Sequence, residues 1–195
     1  MPKGRLEAFS DGVIAILITI MVLELHTPRG TTWHALQDEV PVLLAYLLSF
    51  VLLGIYWNNH HHMLAAVSHT SGAALWANLH LLFWLSLIPF VTAWTSENDF
   101  AQVPVAAYGI VLLAAAVAYF VLERTLLRVE GPGSVLARAT GKDVKGKVSV
   151  VIYVVGIGLS FADRWIGVAA YVVVAFIWLV PDRRVERTLT SPPER

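Results

Sequence analysis

Six apolar runs, at about 6–25, 40–58, 74–95, 103–123, 147–162 and 165–181, take up most of this chain and leave only short polar breaks between them. A bilayer core requires about 20 apolar residues per spanning helix, so runs of this length read as membrane helices joined by tight loops. Composition agrees: 57% of the 195 residues are hydrophobic and 14% charged, against about 45–50% and about 25% in soluble domains. The expected fold is an all-α membrane protein with six transmembrane helices over residues 1–185 and a polar tail at 186–195. No soluble catalytic domain fits beside six spans. The absence of cysteine excludes a disulfide framework, a thiolate metal site and a cysteine nucleophile.

Polar punctuation sets the loops. Pro28 and Gly30 in "HTPRG" stop the first helix, Pro41 suits the first turn of the second, and "SENDF" separates the third from the fourth. "EGPGS" and "GKDVKGK" mark the long fourth loop, Asp163-Arg164 a hairpin turn, and Pro181 the end of the sixth helix. Pro89 predicts a kink within the third. The last two runs are short, so a re-entrant hairpin is the alternative to two spans. With both termini cytoplasmic, twelve of the fourteen basic residues lie inside and only Arg29 and Arg164 outside, a positive-inside pattern that requires an even number of spans. Glu7 and Asp11 interrupt any signal-peptide pattern, so the first run is expected to be retained in a multi-pass cell-membrane protein.

The first run divides by face. At about 100° per residue, Ile16, Thr19, Ile20 and Leu23 gather on one stripe that Gly12 and Phe9 extend, whereas Ser10 and Asp11 lie off it. The ordinary reading of such a stripe is contact with lipid or other helices, with the Thr19 hydroxyl bonded to its own backbone. The sharper reading is a pore wall with a hydrophobic constriction. A carboxylate near hydrocarbon needs partners, so Asp11 is expected to face other helices. Candidates at the same depth are Trp57 and His60 at the end of the second helix and Asn78 and His80 at the start of the third. Such a network is read first as a structural peg for the first helix, with Arg5 either pairing nearby or reaching the interface. A proton pathway or proton-coupled carrier through Asp11, His60 and His80 is the alternative. His60-His61-His62 splay too widely to hold one metal, and no nucleophile–base pair suggests an enzyme.

Arg5-x-x-x-Phe9-Ser10-Asp11, Trp57-x-x-His60 and "NLHLLFWLSLIP" from Asn78 to Pro89 together resemble the transmembrane protein 175 family of potassium channels. The motifs cover helices one to three; helices four to six agree only in number. The resemblance implies a potassium-permeable cation channel without a TVGYG filter, and Tyr108-Gly109 indeed stands alone in this chain. It further implies a prokaryotic plasma-membrane homotetramer with the first helix of each subunit lining the pore, since one such helix cannot enclose a channel. The constriction then falls at Ile16, with Thr19 and Leu23 following, and the FSD network holds the helix. Ala15 stands where some members carry a polar residue. No cofactor or resident metal is implied; K⁺ passes transiently near Thr19, and the expected partners are bilayer and monovalent cations, not nucleic acid.

Overall fold

The computed structural model describes residues 3–140 and 144–179, and among these residues every regular element is a helix. Helix α1 is Gly4–Leu23, α2 Trp33–Gln37, α3 Val40–Ala65, α4 Gly72–Ser86, α5 Ile88–Glu97, α6 Gln102–Glu130, α7 Val135–Thr140, α8 Val144–Ser160 and α9 Arg164–Leu179. Among the described residues four stretches are long and apolar enough to cross a membrane: α1, α3, α4 with α5 taken together, and α6. Helices α8 and α9, of 17 and 16 residues, are shorter. The end of the sixth run at Pro181, Lys142, and the tail at 186–195 lie outside the described residues.

Helix ends differ from the edges of the apolar runs for physical reasons. Helix α3 continues through Asn58, Asn59 and the three histidines to Ala65, because His60, Met63 and Leu64 remain on its buried face. Helix α6 runs on to Glu130 in the same way, with Leu126 fully buried. Burial against neighbours continues the helix past the point where the sequence turns polar. Helix α1 ends at Leu23, ahead of Pro28, and the loop after it contains the short α2, whose N-cap Thr32 accepts a bond from the Ala35 amide at 3.3 Å. The break expected at Pro89 falls at Leu87, whose amide turns back to the Trp84 carbonyl at 3.2 Å. Pro89 then occupies the first turn of α5, where its missing N–H leaves no intrahelical bond unmade.

Helix α6 is the hub, packed on α4, α5, α8 and α9, while α3 lies against α5 and α9. The α6–α8–α9 contact is close because glycines sit in it. A Cβ at Gly109 would overlap the Tyr171 hydroxyl, and one at Gly156 would lie 2.7 Å from the Ala170 Cβ. Small residues of this kind let membrane helices approach where no hydrophobic effect drives them together. A buried polar knot ties the other side of the hub: the Ser49 hydroxyl lies 2.7 Å from both the Thr92 hydroxyl on α5 and the Tyr108 hydroxyl on α6. Helix α1 rests on α3, α4 and α5, and so presents its remaining surface outward.

Candidate functional site

Helix α1 has two sharply different faces. Leu6, Ser10, Ile14, Leu17 and Met21, spaced at three and four residues, are buried against the bundle. Phe9, Gly12, Ile16, Thr19, Ile20 and Leu23 are exposed, Ile16 at 57% and Leu23 at 82%. The stripe grouped by helical periodicity is therefore exposed among the described residues, together with Arg5, Ala8, Ala15 and Val22 beside it. The Thr19 hydroxyl donates to the Ile16 carbonyl at 2.9 Å, a bond to its own helix backbone. That bond uses its proton and leaves the oxygen lone pairs outward.

The buried face is held by a directional chain of hydrogen bonds. His60 Nε2 lies 2.7 Å from Asn78 Oδ1, an atom that can only accept, so the imidazole donates. Asn78 Nδ2 donates to Ser10 Oγ at 2.9 Å, and Ser10 Oγ donates to the Leu6 carbonyl at 2.8 Å. All three side chains are buried, which joins α3, α4 and α1 through groups whose loss would strand a polar atom in an apolar interior. His60 Nδ1 is buried without a partner among the described residues.

A second set of contacts runs along the edge between α1 and α3. Trp57 Nε1 donates to Asp11 Oδ1 at 3.0 Å, and one turn away His61 Nδ1 lies 3.3 Å from Glu7 Oε1. The Trp57 and His61 rings stack at 6.0 Å between centroids. Lys3 Nζ donates to the carbonyls of Leu64 and Ala65 at 2.9 and 3.0 Å, at the end of α3, where the Leu64 carbonyl also accepts from the Val67 amide at 3.1 Å. Glu7 and Asp11 are thus spaced by one turn on α1 to meet Trp57 and His61, spaced by one turn on α3.

Of the residues singled out from sequence, Ser10, His60 and Asn78 converge in one chain and Asp11 meets Trp57 beside it. Phe9 is on the bare face instead of in the network, and Arg5 is exposed with no hydrogen bond or ion pair among the described residues. His80 is not brought to the group: it is exposed and accepts from Trp84 Nε1 at 2.9 Å on its own helix. The hydrogen bonds of Asp11, His60 and His80 therefore do not join into one path. The histidine run diverges, His60 toward Asn78 and His61 toward Glu7, and no three His, Asp or Glu side chains converge among the described residues. Lys3, the Glu7–His61 pair and the Ser49–Thr92–Tyr108 knot were not anticipated. Their only sequence signal is a polar residue inside or beside an apolar run, which does not name its partner.

Residues 5–89 match the family model of the endosomal/lysosomal potassium channel TMEM175. The chain is 53% identical over 189 residues to a potassium channel of Chryseobacterium sp. (strain P1-3), covering 97% of this chain and 98% of that one. It is 33% identical to a potassium channel of Streptomyces collinus over 192 residues, covering 90% and 91%. The crystal structure of a lysosomal potassium-selective channel TMEM175 homolog from Chamaesiphon minutus superposes with a TM-score of 0.76 at 30% identity, covering 91% of this chain and 96% of that one.

Proposed function

The chain belongs to the TMEM175 channel family, and we propose that it is the subunit of a homotetrameric, potassium-permeable channel in a prokaryotic plasma membrane, with α1 of each copy lining the pore. In this reading Ile16, Thr19, Ile20 and Leu23 face the axis. A ring of Ile16 side chains forms the constriction, which closes by dewetting and takes the place of a carbonyl filter. Thr19 hydroxyl oxygens, their protons already engaged by the Ile16 carbonyl, offer lone pairs to a partly dehydrated K⁺ beside it. The topology is six spans with both termini cytoplasmic: α1, α3, the broken α4–α5, α6, and the short α8 and α9.

The observation that carries this reading is the asymmetry of α1. One face is pegged by the Ser10–Asn78–His60 chain and the Asp11–Trp57 bond, and the other presents exposed apolar side chains and one exposed hydroxyl. Four such faces around an axis enclose a path, which one cannot. Pegging matters because a dewetting gate works only if its side chains are held at a fixed radius. Planar-bilayer recording of the purified protein under a K⁺ gradient is the test. A cation current altered by Ile16→Asn and Leu23→Ala is expected; absence of current, or a conductance unchanged in both variants, overturns the proposal.

A further inference from the structure

We propose that the cavity between α3, α6, α8 and α9 binds a membrane phospholipid, one acyl chain entering the cavity and an anionic headgroup resting on Lys147 and Arg124. The cavity has a volume of ≈ 360 Å³, within the range of about 300–1,000 Å³ typical of small-molecule sites. Its walls are apolar, with Ile55, Val117, Phe120, Tyr153 and Trp178 among them. Polar groups gather at one end, where α3 and α6 finish and α8 begins: Asn59, Glu123 and Lys147. An apolar depth with a polar rim is the shape of an amphiphile.

The sign of the headgroup follows from the charges at that end. Lys147 is exposed at the rim, and the Arg124 guanidinium lies 4.8 Å from the centroid of Phe120, a wall residue. Glu123, the one acid among the described residues of the lining, is buried and engaged within the protein. Exposed cations near a membrane surface attract anionic lipid. Among the described residues no lining residue belongs to α1, which rests on α3, α4 and α5. A lipid site here does not depend on the chain conducting ions.

Trp178 provides the readout, because bromine on an acyl chain quenches an indole that it touches. The protein is reconstituted in phosphatidylcholine vesicles, and either brominated phosphatidylglycerol or brominated phosphatidylcholine is titrated in. The Trp178 signal is the difference between wild type and Trp178→Phe. Half-quenching is expected at a phosphatidylglycerol fraction at least about fivefold lower than the phosphatidylcholine fraction; Lys147→Gln is expected to narrow the gap, and Lys147→Gln with Arg124→Gln to bring the two curves together. Val117→Phe, which fills the cavity, is expected to weaken quenching by both lipids. Comparing total fluorescence of wild type and Lys147→Gln makes the headgroup test without Trp178→Phe. Coincident curves in the wild type would reduce the site to ordinary boundary lipid and overturn the proposal. So would an unquenched Trp178, which would mean that protein, a second copy included, covers the cavity.

Discussion

Ser10 is fully buried, and its hydroxyl both accepts from Asn78 and donates to the Leu6 carbonyl. Asn78 is the joint of the chain. Asn78→Leu removes both of its bonds and leaves His60 Nε2 and Ser10 Oγ without them, a loss expected to cost about 1–3 kcal/mol. The measurement is the thermal midpoint of the detergent-purified protein, and a midpoint equal to wild type would remove Asn78 from the account. Asp11 separates structural from proton-carrying roles. Asn at this position keeps an oxygen for the Trp57 indole, so Asp11→Asn is expected to fold and retain K⁺ current, whereas a proton pathway through the carboxylate would lose its flux. Part of this was legible in the sequence: a carboxylate and a serine at the head of an apolar run demand partners, and topology put Trp57, His60 and Asn78 at their depth. Which donor meets which acceptor was not legible. His80 has the same chemistry as His60 and similar depth, yet its position on α4 turns it outward to Trp84. The rotation of α4 about its axis turns Asn78 inward and His80 outward, and an apolar helix with tryptophans around it carries little periodic signal for that rotation.

At the scale of elements, close packing and polar knots do what a hydrophobic effect does in water. Gly109→Val would push against Tyr171 and Ile157 and is expected to destabilise the protein by about 1–3 kcal/mol, the usual cost of overpacking. Gly158→Ala, at a position with open space around its Cβ, is expected to leave the melting midpoint unchanged. If the two glycine variants melted alike, the tight α6–α8–α9 seam would not be a source of stability. The positions of the four long spans were legible because lipid thickness imposes a minimum apolar length. The extensions of α3 and α6 were not, since they are stabilised by burial against protein after the apolar run has ended. Helix α2 was missed because five residues in a polar loop form no pattern long enough to show a helical period.

For the whole molecule, the proposed assembly rests on the surface that α1 exposes. Among the described residues Ile16, Thr19, Ile20 and Leu23 of α1 are exposed, as are large apolar residues on other long helices, Leu44, Phe83 and Val103 among them. The expected particle is a tetramer by light scattering in mild detergent; a monodisperse monomer that still conducts would deny α1 its place on a shared axis. The absence of cysteine makes this axis directly accessible to chemistry. The most direct measurement is the planar-bilayer current of Ile16→Cys channels before and after a cationic methanethiosulfonate reagent, beside Leu17→Cys, whose native side chain is buried against the bundle. Block of the Ile16→Cys current with Leu17→Cys unaffected is expected if the bare face of α1 lines the ion path. An unmodified Ile16→Cys current with block at Leu17→Cys would turn α1 around and refute that assignment.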